Sequence, residues 1–396
     1  MYEKISTELR LMLAGAIGDS ARVQHLLTLP VDWELFLRLT EYHQVYPLVY
    51  KILSQLSNPL VPENVIASLR AQCRENALRS LGMAGETLRV IHLLESQGVR
   101  VVVLKGTALA SHLYGDIIIR PFLDIDILVS PEAVGLAAKI VKTVDYQEKS
   151  PELGLTPRQS QIYQRIYPHP HHLVFWHNEK NVLLEMHWNM GHFGQVVLAM
   201  PADTSIERIQ VAGNSLPVLA DEEWLLYLIL HGASHAWYCL RWLVDIGQFM
   251  QRKLDWDKIE SLAKSLGMQS ILHQGLILAN LLLEAPLPPG YQYTVFADHH
   301  AKRLSSMALA LCLSLADHQL REPDSDYDKY LFYRYNYQMR VGWRNKVNYI
   351  SSLCRPTISD IRLISLPDLL FPLYYVIRPF TFFCGLFASR QKAKAV

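Results

Sequence analysis

Two aspartates in an apolar stretch are the residues of this sequence whose type and spacing best fit chemistry. Asp124 and Asp126 stand in "RPFLDIDILV", residues 120–129, where the isoleucines, leucine and valine are typical of a strand. Side chains alternate between the two faces of a strand, so both carboxylates are expected on one face, where like charges repel. A divalent cation between them would make this pairing favourable, because Mg²⁺ prefers oxygen ligands. The alternative is a structural accident, since such a pattern alone has little specificity.

Two further segments could complete a site of this kind. "VRVVVLKG" predicts a buried strand that ends in a turn at Lys105, Gly106 and Thr107. The helix after such a turn presents backbone N–H groups, which suit a phosphate. Glu185, in the predicted strand "NVLLEMHW", could add a third carboxylate if that strand lies beside the aspartate strand. His187 follows two residues later and would share the face of Glu185.

Histidines form another candidate group in "PHPHHLVFWH". Its members are His169, His171, His172 and His177. A zinc site is disfavoured here, because no cysteine accompanies these residues and their spacing matches no zinc-binding motif with a clear mechanism. If "HHLVFWH" and "NVLLEMHW" form a hairpin, His172 would instead reach the acids from the neighbouring strand.

A long apolar-periodic stretch, "DEEWLLYLILHGASHAWYCLRWLVDIGQFMQR", predicts a helix that carries further polar candidates. His231 and His235 are four residues apart on one face, where they could bind a metal, pack against the sheet or contact an acceptor. No HExxH glutamate accompanies them, so a metalloprotease is unsupported. Asp245 could also support an acceptor site, although its position four residues after Arg241 fits a helix-face salt bridge.

The elements that must position these residues fall into three regions. Residues 1–98 have helical periodicity, residues 99–215 contain the predicted strands, and residues 216–396 return to helix. Within the first region, "VDWELFLRLTEYHQVYPLVYKIL" is helical with a break predicted near Tyr46 and Pro47. The sequence therefore predicts an α+β fold, with a small mixed sheet flanked by N-terminal and C-terminal helical regions.

Composition narrows the class of protein. The 396 residues are 50% hydrophobic and carry a net charge of +1, which disfavours long nucleic acid as a partner. The five scattered cysteines lack CxxC pairing, which favours a reducing compartment, and we expect a cytoplasmic protein. The C-terminal stretch "LPDLLFPLYYVIRPFTFFCGLFASRQKAKAV" has Arg378 at its centre, so we expect no transmembrane segment. A peripheral membrane contact there is disfavoured relative to docking on the protein's own core.

The order of these segments resembles the nucleotidyltransferase superfamily typified by DNA polymerase beta. It is still more similar to a branch of bacterial nucleotidyltransferase-like proteins with "LKG", "R…DIDILV", "ExHW" and "H…H…W…D" motifs. The matching residues are Leu104–Lys105–Gly106, Tyr114, Arg120, Asp124, Asp126, Glu185, His187, Trp188, His231, His235, Trp242 and Asp245. "DWELFLRLTEYHQVYPLVY" also resembles the N-terminal helix of this branch, so the resemblance covers most of residues 30–250.

This resemblance implies transfer of a nucleoside monophosphate from a nucleoside triphosphate, with ATP the favoured donor. The three acids at positions 124, 126 and 185 would bind two Mg²⁺ ions, with Mn²⁺ as an alternative. Gly106 and Thr107 would hold the β- and γ-phosphates, and Arg120 would neutralise phosphate charge. The wider superfamily has glycine where this chain has Lys105, so the turn "LKGTA" leaves phosphate geometry and nucleotide choice open.

The acceptor is not identified by the sequence. A small molecule, a sugar, peptide or protein hydroxyl, and an RNA 3′ end remain alternatives, as does transfer of another group from an activated donor. The rival function is a non-catalytic nucleotide-binding or regulatory module on the same fold. A helical partner-binding protein with a vestigial sheet is a more distant alternative.

Overall fold

A computed structural model shows the α+β architecture that the sequence predicts. It describes residues 5–56, 58–149, 156, 158–159, 172–191, 206–317, 326–364 and 366–382. A small mixed sheet lies between an N-terminal and a C-terminal set of helices, as expected. His169, His171 and the basic C-terminal tail lie outside the described residues, so the expectations for them are not addressed further.

Five helices precede the sheet. They are α1 (Thr7–Ile17), α2 (Ser20–Leu27), α3 (Trp33–Tyr42), α4 (Tyr46–Leu56) and α5 (Glu63–Ser96). The break predicted near Tyr46 and Pro47 lies slightly earlier, between α3 and α4, where Gln44 adopts a left-handed backbone with φ 55°. Pro47 is instead tolerated in the first turn of α4, where a missing N–H group costs no helical hydrogen bond.

The central sheet has five strands. They are β1 (Val101–Val103), β2 (Asp124–Val129), β3 (Tyr146–Glu148), β4 (His172–His177) and β5 (Val182–His187). Their spatial order is β1-β2-β5-β4-β3, with β2 and β5 parallel and the other neighbours antiparallel. The predicted hairpin between "HHLVFWH" and "NVLLEMHW" is therefore confirmed. Helix α6 (Gly106–Tyr114) connects β1 with β2, and α7 (Val134–Lys142) connects β2 with β3.

A second, two-stranded sheet follows the central one. Strands β6 (Ile206–Val211) and β7 (Asn214–Leu219) form this antiparallel hairpin, which contacts β1 through β7. The region boundary expected at residue 215 thus lies inside β7. The boundary expected at residue 98 lies in the short connection between α5 and β1.

The C-terminal region is helical. Its helices are α8 (Asp221–Ser234), α9 (Arg241–Phe249), α10 (Trp256–Ser265), α11 (Gln269–Leu283), α12 (Tyr291–Ala297), α13 (His299–Asp317), α14 (Asp326–Met339), α15 (Trp343–Leu353), α16 (Ile358–Leu363), and a 3₁₀ helix at Asp368–Leu373. Within the described residues, no helix is both long and apolar enough to cross a bilayer.

The single long helix predicted from residue 221 onwards is wrong. It divides into α8 and α9, because Ala236 and Trp237 adopt left-handed backbone conformations with φ 51° and 58°. The break is stabilised by the Trp237 ring, which packs so closely on Gly232 that a Cβ there would lie 2.4 Å from a ring carbon. This packing turns the chain back on α8 and directs the following residues toward the sheet.

One continuous apolar core runs through all three regions. Ile127 and Leu184 are fully buried members of it from β2 and β5. The C-terminal stretch, which the sequence places on this core, instead has its buried residues in a small separate cluster. Phe371 and Tyr374 are buried in this cluster, whereas Leu369 is 79% exposed.

Candidate active site

Strands β2 and β5 bring the predicted acids together. Their parallel register places Asp126 opposite Glu185. Asp124 and Asp126 lie on one face of β2, and the intervening Ile125 points into the core, where it is 2% exposed. The predicted adjacency of the two strands is therefore confirmed. It requires a crossover connection, because parallel neighbours cannot be joined by a tight turn.

Asp126 is the centre of this group. Its Oδ1 atom lies 3.0 Å from the Lys105 Nζ atom and 3.3 Å from the His187 Nε2 atom. The same His187 nitrogen lies 3.4 Å from Glu185 Oε2. His172, opposite His187 in the β4–β5 ladder, extends the group from the neighbouring strand, with the two ring centroids 5.1 Å apart. This is the position that the hairpin predicted for His172.

Charge interactions shift the pKa values of the two aspartates in opposite directions. The negative charge of Asp126, together with burial, raises the pKa of Asp124 to about 6. Burial opposes ionisation of Asp126 as well, but the Lys105 ammonium and the bond to His187 hold the pKa of Asp126 well below its usual range. Burial favours a neutral His187 ring, yet its contacts with Asp126 and Glu185 raise the pKa of His187. The site therefore holds excess negative charge that depends on pH.

The donor set fits a divalent cation. Ligand atoms of Asp126, Glu185 and His187 all lie within 4.8 Å of one another. The Asp126 Oδ2 atom is buried and finds no hydrogen-bond partner in the part of the chain that the structure describes. Carboxylates and a histidine suit Mg²⁺ or Mn²⁺, and the histidine shifts the preference toward Mn²⁺. Asp124 lies beside this group on the same strand face, and its metal role stays a prediction.

The glycine turn after β1 lies against the aspartate strand. Gly106 has φ +62°, and a Cβ there would lie 3.4 Å from the Phe122 ring and 3.5 Å from the Asp124 carbonyl oxygen. Glycine is the residue that tolerates both the backbone conformation and the close approach. Thr107 is 1% exposed, and its hydroxyl has no hydrogen-bond partner among the described residues. The predicted phosphate contacts of Gly106 and Thr107 stay predictions.

Lys105, which replaces the glycine of the wider superfamily, follows β1 after Leu104 and directly precedes α6. Its side chain is 12% exposed and forms the salt bridge to Asp126. Both burial and the aspartate act on the ammonium group, and the aspartate prevails to raise the pKa of Lys105. Lys105 is therefore a charged member of the acidic cluster, and not merely a substitute in the turn.

Arg120 forms its bidentate contact within the protein. Its Nε and Nη2 atoms donate to Asp245 Oδ2 at 3.0 and 2.9 Å, and the Tyr114 hydroxyl donates to Asp245 Oδ1 at 2.8 Å. The side chain of Arg120 is 2% exposed. The proposed salt bridge between Asp245 and Arg241 is wrong, since Asp245 pairs with Arg120 from the loop before β2. The arginine predicted to contact phosphate thus anchors α9 to that loop.

Arg241 is a cleft residue that the sequence motifs did not indicate. It lines the cleft above the acids and is 9% exposed, with one Nη1 contact to the Pro121 carbonyl oxygen. Its Nε atom is buried without a hydrogen-bond partner in the described residues. Burial, and the like charge of Arg120, lower the pKa of Arg241. An incompletely neutralised, buried guanidinium beside an open cleft is suited to an anion such as phosphate.

The cleft itself has a volume of about 430 Å³, within the usual range for ligand sites. One wall carries Asp124, Glu185, Lys105 and Gly106, whereas Asp126 is 1% exposed and does not line the cleft. Aromatic and imidazole rings from the end of α8, the α8–α9 loop and the start of α9 form the other wall. These rings belong to His231, His235, Tyr238 and Trp242. Burial lowers the pKa of His235 to about 4, so this ring is neutral at physiological pH.

His177, the remaining described member of the predicted histidine group, lies apart from the cleft. It is buried at the far end of β4, with its ring 5.2 Å from the Tyr146 ring. His177 and His172 are five residues apart on one strand and so point to opposite faces. The described histidines of the group therefore do not converge on a zinc ion.

A glycine turn, an aspartate strand and a parallel neighbour with a further acid define the nucleotidyltransferase class. The family described as "Uncharacterised nucleotidyltransferase" matches residues 30–284. The chain therefore belongs to this nucleotidyltransferase family. The match begins in the N-terminal helices and ends after α11, so it includes the whole cleft. Neither a curated protein nor a solved structure gives a significant match.

Proposed function

We propose that the protein transfers a nucleoside monophosphate, AMP from ATP, to a hydroxyl group of a small-molecule, sugar, peptide or protein acceptor. The observation that carries this proposal is the convergence of Asp126, Glu185 and His187, with Asp124 beside them, in a cleft that also contains a glycine turn. The near-neutral net charge of +1 supports a compact acceptor over long nucleic acid.

The reaction would proceed by in-line displacement at phosphorus. The acceptor oxygen bonds to the α-phosphorus, the bond from that phosphorus to the bridging oxygen breaks, and pyrophosphate leaves with the electron pair. Mg²⁺ held by Asp126, Glu185 and Asp124 would neutralise phosphate charge and lower the pKa of the acceptor hydroxyl. Glu185, whose side chain is 25% exposed whereas that of Asp126 is fully buried, would receive the hydroxyl proton.

The cationic side chains of the cleft would stabilise the negative charge of the leaving pyrophosphate. Arg241 has donor capacity that the protein does not use, and Lys105 already lies at the acidic edge. Preorganised cations in a cleft of low water content stabilise developing negative charge at little reorganisation cost. Arg120, in contrast, would act by fixing α9 and thereby the position of Arg241.

The test is a panel of labelled nucleoside triphosphates with Mg²⁺ and candidate acceptors, with pyrophosphate release as the signal. We expect release with the wild type and its loss in Asp124→Asn and Asp126→Asn. Asp257→Asn, which changes an exposed acid in the first turn of α10, is the matched control and should retain activity. Retained activity in either β2 variant would refute the metal assignment.

One observation favours the second candidate, a nucleotide-binding module without turnover. The Lys105 ammonium lies 3.0 Å from Asp126, where a divalent cation would also act. A permanent lysine at that position could replace the metal and leave a site that binds a nucleotide without reacting. Nucleotide binding without pyrophosphate release, with every NTP and acceptor tried, would support this alternative over the enzyme.

A further inference from the structure

The wall opposite the acids is built by two loops that are distant in sequence. One is the α3–α4 connection, which contains His43 and Gln44, and the other is the α8–α9 connection, residues 235–240. His43 joins them, because its Nδ1 atom accepts a hydrogen bond from the Leu240 N–H group at 3.3 Å. The Cys239 thiol donates to the His43 carbonyl oxygen at 3.5 Å. Burial lowers the pKa of His43 to about 3, so the ring stays neutral and remains an acceptor.

Both loops contain unfavourable backbone conformations. Gln44, Ala236 and Trp237 have φ values of 55°, 51° and 58°, in the left-handed region that glycine or asparagine normally occupies. Residues with side chains persist in such conformations where surrounding structure enforces them, and they cluster at ligand sites. Packing of the Trp237 ring on Gly232 accounts for the second loop. The end of α3 accounts for Gln44, because the Gln44 N–H donates to the Glu41 carbonyl oxygen and the Val45 N–H to the Thr40 carbonyl oxygen, both at 3.0 Å.

The Gln44 side chain lines the cleft, and its amide is not used by the protein. Its Oε1 atom is buried without a hydrogen-bond partner within the described residues. A buried amide oxygen without a partner costs free energy, which a ligand N–H group would recover. Tyr42, Tyr238 and Trp242 also line the cleft, and the Tyr238 and Trp242 rings are in T-shaped contact with their centroids 4.8 Å apart. Rings beside a free amide are suited to a planar group with a polar edge.

We propose that this two-loop wall binds the nucleobase of the donor, with the Gln44 amide on the base edge that carries an exocyclic amino group. Adenine presents an amino donor next to a ring-nitrogen acceptor, and the two ends of one glutamine amide complement that pair. The tyrosine and tryptophan rings contact the face of the base. This inference rests on the proposed nucleotidyl transfer and identifies what selects the nucleotide.

The charges that line the cleft indicate which end would bind the phosphates and which end would bind the base. Arg241 lines the cleft and is the first residue of α9, directly after the α8–α9 loop. Phosphates at Arg241 and Lys105 would leave the base at Gln44. The wall residues Tyr42, Gln44, Tyr238 and Trp242 carry no formal charge, which fits a base and does not fit a phosphate.

The test compares equilibrium binding of ATP, ITP and inorganic tripolyphosphate in the presence of Mg²⁺. ITP has a carbonyl oxygen where ATP has the amino group, so this exocyclic position accepts hydrogen bonds and cannot donate to the Gln44 Oε1 atom. We expect the wild type to prefer ATP by about tenfold, an amount typical of one specific polar contact. Gln44→Ala should reduce this preference to less than about threefold and leave tripolyphosphate affinity unchanged.

Two further variants separate base recognition from folding. Gln44→Gly accommodates the positive φ, so it should remain as stable as the wild type and still lose the ATP preference. Gln251→Ala removes an exposed glutamine after α9 and should leave the preference unchanged. Equal wild-type affinity for ATP and ITP, or an unchanged preference in the Gln44 variants, overturns this inference while nucleotidyl transfer stands. Absence of binding to ATP and tripolyphosphate alike overturns the proposed function itself.

Discussion

Replacing either β2 aspartate by asparagine should abolish turnover, but the two substitutions should change stability in opposite directions. Asp124 is opposed by the charge of Asp126, which raises the pKa of Asp124 from 3.8 to about 6. Asp126 has no exposed side-chain surface and is held by Lys105 and His187. Asp124→Asn removes a repulsion, whereas Asp126→Asn leaves a buried ammonium without its partner.

The magnitudes follow from these contacts. A raised pKa means that ionised Asp124 destabilises the fold, and a shift of about two units corresponds to about 3 kcal/mol at most. Because the two carboxyl groups titrate together, we expect a gain of about 1–3 kcal/mol for Asp124→Asn. Breaking a buried ion pair by removal of one partner costs about 3–5 kcal/mol, which is the loss expected for Asp126→Asn.

The effect of Asp124→Asn on the free energy of unfolding should depend on pH. Below about pH 3 Asp124 is protonated in both folded and unfolded chains, so Asp124→Asn should have little effect on stability there. Its stabilising effect should develop as pH rises from about 4, where an unfolded aspartate ionises, to about 6, and remain constant above. Urea unfolding of metal-free protein, followed by tryptophan fluorescence at pH 5 and pH 8, measures both variants. If Asp124→Asn is destabilising at pH 8, the proposed repulsion between the aspartates is wrong.

Three further predictions test other parts of the structure. The affinity for Mn²⁺, measured by calorimetry, should increase as pH rises through the raised pKa of His187, because the ring must lose its proton to bind the metal. His187→Gln should make this affinity less dependent on pH. Gly232→Ala should lower the unfolding free energy by about 1–3 kcal/mol, because the new Cβ would overlap the Trp237 ring, and unchanged stability would contradict that packing. Asp245→Asn should cost about 3–5 kcal/mol in urea unfolding by leaving Arg120 buried without its anion, whereas a loss below 1 kcal/mol would show that the pair is dispensable.

Local patterns allowed the strands and the acidic face to be predicted. Alternation in "DIDILV" placed Asp124 and Asp126 together, because side-chain direction in a strand depends only on sequence parity. The short "NEK" segment between two apolar runs predicted the β4–β5 hairpin for an equally local reason. The parallel pairing of β2 with β5 is non-local, so the sequence supported the position of Glu185 only under the condition that the strands are neighbours.

Tertiary contacts account for the features that the sequence did not reveal. The apolar periodicity of α8 continues through the break, because the loop residues Ala236 and Trp237 are as buried as the helix. Arg120 and Asp245 are 125 residues apart, whereas helical spacing offered Arg241 as a local partner for Asp245. The true pairing leaves Arg241 in the cleft, so one long-range contact changes which arginine could meet a phosphate.

Lys105, which stands where the wider superfamily has glycine, can take part in the proposed chemistry. In the structure its ammonium lies 3.0 Å and the His187 ring nitrogen 3.3 Å from Asp126 Oδ1, so Lys105 offsets part of the negative charge of the cluster. Under the proposed function, a divalent cation at Asp126 would replace this neutralising charge and release the lysine. The released ammonium, on a flexible stem next to Gly106, could then contact a phosphate at the start of α6. A lysine in place of glycine is thus compatible with catalysis, provided that metal and nucleotide bind together.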